Sequence, residues 1–530
     1  SRFCVRGVLQ VFAALAVLVA VALGVADAAR ILAVMPMHAR SHQIALSAVT
    51  RALADKGHDI TYITGLPQGN KINPTHNHKL IHFQSKAVSK EADAELKRFW
   101  ENKRGTLDQI TFLMKWGAVI VNETLSSPVV KAELYKPGQK FDLVIAELFF
   151  FQEAFITLGH HFKAPVVAIN PFGASQFINE LSGNPVNPSW VPSPFLGFSD
   201  RMSFIQRAIN AFLHVGTHLS YFYYNLPLQE EIAKQYFPDV PHVEELLRSN
   251  LALTLINNHF TLVYPTPMAP NVIEIGGIHI PQKRNPLPKD LQDYLDGAKE
   301  GVVYFSMGSN LKVEQMPEEK SKAILGALGA LKERVLLKWD GPKPKDLSPN
   351  IRTIEWAPQA DLLAHPNIRA FWTHGGLLST QESVYHGVPL IGMPMFGDQD
   401  FNMLLAEQKG FCVKVDFRTM TRESLDATLK EILRNPKYKE NASRLSRIFR
   451  SKALQPAEAA VFAIEHVLQH GSEHLKPSNV HLPLYQLLLL DVIAAAAAIV
   501  LLPLLLLWAC CRALCCGKKK AVATNKKKKN

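Results

Sequence analysis

Ile31-Leu32-Ala33-Val34-Met35-Pro36 is an apolar run followed by a helical stretch from Ser41 to Lys56, a stop at Gly57 and a second run from His58 to Thr64. A short apolar run bounded by turn signals reads as a buried strand, and the 3.6-residue pattern behind it reads as a helix. Strand, helix and strand in that order open a parallel sheet. Phe141-Asp142-Leu143-Val144-Ile145-Ala146-Glu147 and Pro165-Val166-Val167-Ala168-Ile169 continue it. The pattern restarts at Gly301-Val302-Val303-Tyr304-Phe305-Ser306, passes through a helix over Glu318 to Lys332, and continues with strands at 335–338, 351–354, 370–373 and 388–392. Alternating strands and helices predict two doubly wound α/β halves, with the Pro-rich segments 264–270 and 281–288 as the hinge. Such sheets bind ligands beyond the carboxyl ends of their strands, so two of them face to face frame a cleft for two substrates. The chain has no GxGxxG and no Walker sequence, which removes the main support for a dinucleotide oxidoreductase or a P-loop NTPase.

Composition narrows the class further. The 530 residues suit two or three domains, and 48% hydrophobic with 20% charged residues exclude a disordered chain or a multi-span membrane protein. Of the net charge of +12, residues 491–530 carry +7 and residues 1–28 carry +1. The remainder is too dilute for a nucleic-acid surface. Cys412 is the one cysteine of the body, so no disulfide forms within it, and the residue reads as a buried apolar side chain rather than a nucleophile.

The two ends set an address. Val8 to Val25 is apolar but for Gln10, follows Arg2 and Arg6, and runs into Ala26-Asp27-Ala28, so residues 1–28 are expected to be a secretory signal peptide, with an uncleaved anchor as the alternative. Leu487 to Trp508 is apolar over about 33 Å of helix, and 487–509 is the expected transmembrane helix, with Pro503 as a kink and Asp491 one turn in. Arg512 and the lysines behind it put the basic tail 510–530 in the cytosol and the body in the lumen. Lys527-Lys528-Lys529-Asn530 resembles the dilysine retrieval signal of endoplasmic reticulum proteins, and a basic flank drawn to anionic lipid is the alternative. Cys510, Cys511, Cys515 and Cys516 are palmitoylation candidates, and Asn122-Glu123-Thr124 and Asn441-Ala442-Ser443 are glycosylation sequons that suit a lumenal body.

The densest block runs from Trp356 to Gln399. Strand 370–373 leads into His374-Gly375-Gly376, which opens a helix that stops at Gly387. Glycines let the backbone approach a ligand, and a helix N-terminus suits a diphosphate, which His374 could also bond. Trp356 offers a flat face for a base, and Asp398-Gln399 offer acceptors and donors for sugar hydroxyls. Each has a plainer reading: packing for Trp356, a polar loop for Asp398-Gln399, and a capping box for Ser379-x-x-Glu382. The plainer readings do not explain why all of them gather at strand ends within one block.

Residues 356–399 resemble the signature block of the UDP-glycosyltransferase superfamily. The whole chain resembles its animal membrane-bound branch, the UDP-glucuronosyltransferases and their arthropod relatives. The likeness takes in Gln455-Pro456-Ala457-Glu458-Ala459-Ala460-Val461, Leu490-Asp491-Val492 and the dilysine end. It implies a GT-B fold of two facing Rossmann-like domains, an acceptor-binding one over 29–268 and a UDP-sugar-binding one over 269–480. It implies that Trp356 stacks on uracil with Gln359 nearby and that Glu382 holds the ribose. Ser306, Ser309, His374, Gly376 and Ser379 would hold the diphosphate, and Asp398 and Gln399 the sugar. Plant members have Asn where this chain has Leu378. In the human glucuronosyl branch an Arg aligns near Asn257, so Asn257 points to UDP-glucose, the usual donor of the arthropod branch.

Moving a sugar to a hydroxyl needs a base that is uncharged and placed at the cleft. His42 follows the first strand at the start of a helix, whose positive end opposes imidazolium formation. Glu147 ends strand 141–147 on the cleft side and can orient the ring, while Asp142 lies at the wrong end. The resemblance agrees, with Glu147 in place of the family's Asp. A metal site at His38 and His42 is the rival, and it lacks a third ligand. His76-Asn77-His78 and His160-His161 read as surface or packing residues. Phe149-Phe150-Phe151 and the Pro-rich loop 184–198 with Trp190 suit an apolar acceptor pocket, core packing being the alternative for the Phe run. Tyr221 to Tyr224 reads as packing or a membrane-facing surface. The expectation is an inverting hexosyltransferase with no metal, no cofactor and no nucleic-acid partner. It would act on UDP-glucose and on phenols, flavonoids, steroids and xenobiotics, with homo-oligomers left open. UDP-glucuronic acid as donor and a non-catalytic lumenal binding subunit are the alternatives.

Overall fold

The computed structural model describes residues 28–66, 77–85, 100, 105–148, 150–173, 176–184, 186–309, 311–344 and 347–526, with backbone alone at 178 and 515–526. The expected signal peptide through residue 27, His76, Phe149, Pro185 and Lys527-Lys528-Lys529-Asn530 lie outside the described residues, as do the side chains of Cys515, Cys516 and Lys518 to Lys520.

The body carries two sheets. The first has β1 (Arg30–Met35), β2 (Asp59–Thr64), β3 (His78–His82), β4 (Leu143–Ala146), β5 (Val166–Asn170), β6 (Leu251–Ile256) and β7 (Val272–Glu274), in the spatial order 3-2-1-4-5-6-7. The second has β8 (Val302–Ser306), β9 (Arg334–Lys338), β10 (Ile351–Ile354), β11 (Ile368–Thr373), β12 (Leu390–Gly392) and β13 (Cys412–Lys414), in the order 10-9-8-11-12-13. All the pairings are parallel, with Val34 beside Ala146 and Thr373 beside Ser306 at the two places where the order reverses. Helices cover both faces of each sheet, which is why the central strands read as unbroken apolar runs. Side chains alternate between faces: Leu32, Val34, Val144 and Ala146 enter one core, and Ile31, Ala33, Leu143 and Ile145 enter the other.

The helices that matter below are α1 (Arg40–Asp55), α2 (Thr106–Ser126), α3 (Phe204–Ser220), α4 (Leu377–His386), α5 (Gln399–Gln408), α6 (Pro436–Arg450), α7 (Pro456–His470) and α8 (Leu490–Lys526). Two features move the expected boundary at 268/269. Strand β7 joins the first sheet beside β6. Helix α7 returns to that sheet and packs Ala460, Val461, Ile464 and Val467 into its core. Three residues of β7 and the far-off α7 finish the first half because its last strand and one helix layer would otherwise stay uncovered. The chain therefore crosses between the halves twice. The crossings are bonded to each other, with Lys452 Nζ donating to Gly276 O at 2.7 Å and Gln282 Nε2 to Gln455 Oε1 at 3.0 Å.

Residues 477–526 form a separate unit. Leu490–Leu514 is long and apolar enough to cross a membrane, with Pro503 inside. Its start differs from the expected residue 487, because Leu489 takes a left-handed φ of 53° and breaks the run. Asp491 lies in the first turn rather than one turn in, and its Oδ1 accepts from Val492 N at 2.9 Å. A carboxylate at a helix N-terminus complements the dipole there.

Candidate active site

Both reversals of strand order open toward one cavity of about 520 Å³, lined from the two halves. On the first sheet the neighbours are β1 and β4. His42 is the third residue of α1, behind β1, and Glu147 is the first residue past β4. This brings His42 Nδ1 to 2.6 Å from Glu147 Oε1, with both side chains buried. An ionised Glu147 accepts the Nδ1 proton, so the lone pair falls on Nε2. Phe150 tilts against the imidazole at 4.9 Å and Phe172 meets it edge-on at 5.2 Å. The carboxylate and two rings fix the imidazole plane.

The loop that carries Phe150 is itself clamped. Phe151 has a left-handed φ of 56°, and Gln229 Nε2 donates to its carbonyl at 2.7 Å. Such a backbone costs on the order of 1–3 kcal/mol and persists only where neighbours enforce it. Gly117 of α2 allows the approach, because a Cβ there would lie 2.1 Å from Phe150 O.

On the second sheet the neighbours are β8 and β11, followed by Ser306-Met307-Gly308-Ser309 and His374-Gly375-Gly376. The His374 ring is flanked by two glycines: a Cβ on Gly308 or on Gly376 would sit 2.6 Å from it. Burial first, then Lys338, pushes His374 down to about 4, so it enters the site neutral and can donate to an anion. Helix α4 begins behind Gly376 with no side-chain cap, leaving its first N–H groups for a ligand. Ser379 and Glu382 lie inside α4, so the capping-box reading does not hold. Instead Gln359 Nε2 donates to Ser379 Oγ at 2.9 Å and to Glu382 Oε2 at 2.6 Å, while Tyr304 OH donates to Gln359 Oε1 at 3.3 Å.

Trp356 lines the cavity with 43% of its surface exposed, which is high for a residue of its size and removes the packing alternative. Arg40 Cζ lies 4.7 Å from its ring centroid. Burial lifts Asp398 to about 6, opposed by Asn402, whose Nδ2 donates to Asp398 Oδ2 at 2.7 Å and to Gly375 O at 3.0 Å. Gln399 Oε1 accepts from Met395 N and Phe396 N, which commits its carbonyl to the loop that presents Asp398.

Several expectations need amendment. Asn257 is fully buried; its Nδ2 donates to Pro171 O at 2.9 Å and its carbonyl accepts from Gln381 Nε2 at 2.8 Å. It is Asn258 that lines the cavity, so residue 257 offers no direct donor clue. Phe150 lines the cavity and Phe151 is core, which splits the Phe run. His78 packs on Tyr62, and His160 and His161 lie at the surface. Cys412 is buried, as expected. Asn122 and Asn441 both sit within helices, and Asn441 Nδ2 already donates to Gly410 O at 3.1 Å. Arg40, Tyr304 and Phe172 line the cavity unforeseen, although Phe172 sits just past β5, where strand-end reasoning would have found it.

Residues 29–528 match the family described as UDP-glucoronosyl and UDP-glucosyl transferase. The chain belongs to the UDP-glycosyltransferase family. The chain is 34% identical over 485 residues to UDP-glycosyltransferase UGT5 of Dactylopius coccus, covering 89% of each protein. It is 32% identical to human UDP-glucuronosyltransferase 1A9 over 88% of each. A UDP-glucosyltransferase from Polygonum tinctorium shares the fold with a TM-score of 0.56, 16% identity and coverage of 84% of this chain and 99% of that one. This UDP-glycosyltransferase is thus a GT-B enzyme whose donor is a UDP-sugar, with one C-terminal helix fit to cross a membrane.

Proposed function

We propose that this UDP-glycosyltransferase moves glucose from UDP-glucose to a hydroxyl of small lipophilic acceptors by a single inverting displacement. The observation that carries the reading is the buried His42–Glu147 pair, 2.6 Å apart and set between Phe150 and Phe172, in a cavity it shares with the His374 loop. His42 Nε2 takes the acceptor hydroxyl proton as the oxygen attacks the anomeric carbon. The bond from that carbon to the diphosphate breaks, and UDP leaves with the electron pair. Glu147 stabilises the imidazolium that forms. Neutral His374, Ser306, Ser309, Gly376, Ser379 and the N–H groups of α4 take up charge developing on the leaving diphosphate. Trp356 and Gln359 receive the base, Glu382 the ribose, and Asp398 with Gln399 the sugar. Glucose is supported by the likeness to UDP-glucosyltransferase 2 of Dactylopius coccus, 31% identical over 90% of this chain. Phe150, Phe172, Val191, Pro192 and Phe195 give the acceptor end its apolar lining. The first half binds acceptor and the second donor, and the body lies in the lumen of the endoplasmic reticulum with the tail in the cytosol.

UDP-glucuronic acid is the second reading, favoured by Arg40. Its guanidinium lines the cavity, and no carboxylate among the described residues pairs with it, so a uronate could. Detergent-solubilised enzyme given both donors in competition over a panel of phenols and flavonoids, with products read by mass, tests the choice. Hexosides are expected. Uronides that vanish in Arg40→Ala would replace the first reading with the second. The His42→Ala enzyme should bind UDP and transfer nothing, and turnover by it would overturn the assignment of the base.

A further inference from the structure

Helix α3 is turned inside out for a protein surrounded by water. Two of its polar residues, Asn210 and Thr217, are buried on its inner face. Asn210 Nδ2 donates to Pro188 O at 2.7 Å and to Val191 O at 2.9 Å, and its Oδ1 accepts from Ser193 N at 2.8 Å. Thr217 Oγ1 donates to Gln176 Oε1 at 2.8 Å. Its large apolar residues face out: Phe204, Ile205, Ile209, Phe212, Val215 and Leu219 are all exposed, Phe212 to 79%. Tyr223 continues the stripe, also at 79%, in the π-helical turn Tyr221–Asn225 that extends the helix. At 100° per residue these positions fall in an arc about 140° wide, shared only with Ala208, Gly216 and the part-buried Phe222 and holding no charged residue. From 204 to 223 the stripe is about 30 Å long. An uncharged patch of this size on a soluble body marks a docking surface.

The chain itself names the occupant. Leu490–Leu514 can cross a bilayer. The segment from 477 to 489 that joins it to the body reaches at most about 45 Å even when extended. A bilayer is therefore always within reach of the body. Large apolar and aromatic side chains on one face, with polar groups on the other, are what an interfacial helix presents to lipid. The inner face of α3 has a second connection. Through Asn210 it holds the loop whose Val191, Pro192 and Phe195 line the cavity.

We propose that α3 lies in the interface of the bilayer that holds the anchor helix. The loop bonded to its inner face then forms the port by which lipophilic acceptors pass from lipid to His42. The port rests on the acceptor class proposed above, whereas the docking does not.

The test uses the full chain in phosphatidylcholine–phosphatidylserine vesicles, with Cys4, Cys510, Cys511, Cys515 and Cys516 replaced by serine and an environment-sensitive fluorophore on Phe212→Cys. The expected result is blue-shifted emission, quenched by doxyl-labelled lipid and shielded from iodide, with the reverse for a probe on exposed Glu319→Cys. Iodide quenching at 212 equal to that at 319 would overturn the docking. So would shielding that grows with protein-to-lipid ratio and accompanies cross-linking of two copies through position 212. A second arm replaces Phe212, Val215 and Leu219 together by glutamate. KM for a membrane-partitioning acceptor should rise about tenfold, with KM for the UDP-sugar and for a water-soluble phenol unchanged. An equal rise for both acceptors would overturn the port. Absence of turnover with any acceptor, alongside a lipid-quenched probe, would refute the acceptor reading and leave the docking standing.

Discussion

Glu147→Gln isolates the charge of the carboxylate while keeping its shape. The amide oxygen can still accept from His42 Nδ1 across the present 2.6 Å, so the ring keeps its tautomer and its place between Phe150 and Phe172. What disappears is the negative charge facing an imidazole that turns positive during transfer. A hydrogen bond to a charged group contributes about 1.5–3 kcal/mol, and the full amount counts here because both side chains are buried from water. If it acts only as the proton moves, kcat falls about 10- to 150-fold. The loss belongs to kcat and not to donor binding, since Glu147 is on the half opposite the His374 loop. The folded state should not suffer either, because Glu147 Oε2 is buried without a hydrogen-bond partner and its charge is costly to keep there. The assay is steady-state transfer at saturating UDP-sugar, with UDP affinity by calorimetry and Tm on the same preparation. A variant with more than half the wild-type kcat would refute the orienting role. A parallel loss of UDP affinity or Tm would show that Glu147 acts through structure instead.

Three further outcomes are expected. Gly376→Ala places a methyl 2.6 Å from the His374 ring, an overpacking of about 1–3 kcal/mol, and should weaken UDP about 5- to 150-fold by titration. Asp398, raised to about 6 by burial, is a charged carboxylate acceptor for sugar hydroxyls only above that pH and a weaker, neutral one below it. KM for the UDP-sugar should therefore climb as pH falls below about 6, and Asp398→Asn should give a high KM that no longer varies across that range. Glu153 is buried, takes a 2.9 Å hydrogen bond from Asn225 Nδ2 and is pushed by burial up to about 7. Its folded pKa exceeds the unfolded one, so stability is fully present below about 4.5 and is lost as pH rises through 7. Glu153→Gln should remove a loss on the order of 3 kcal/mol, seen as a Tm that stays flat between pH 5 and 8 where the parent declines.

The strand ends were readable because the physics that marks them is local. A buried parallel strand must be apolar on both faces, so its end, where polarity returns, shows in a few residues; His42, Glu147 and His374 were read this way, whereas Ser306 came from the family resemblance. Closing pairs across distance were not readable. Nothing near Arg40 announces that its guanidinium lies over Trp356, since that contact joins the halves and depends on how both sheets pack. Asn257 illustrates the same gap in the other direction. It follows β6 at a place where a residue should face the ligand, yet its side chain turns into the protein, where Nδ2 donates to Pro171 O. Strand β7 is three residues long and α7 returns from the far end of the chain, so neither carried a signal that named its sheet. The Ser379–Glu382 spacing fitted a cap, and only the position of Gly376 as the true helix start decided against it.

The paired crossings at 276–282 and 452–455 bear on how the cleft can move. One linker would leave the halves free to swivel in any direction. Two linkers bonded side by side behave as the knuckles of a door hinge, and the easy motion that remains is a swing about the line on which they lie. A swing keeps parts near the axis still and carries parts far from it furthest. Release of UDP and admission of the next donor would then ride on one angular stroke about the line through Lys452 and Gln455.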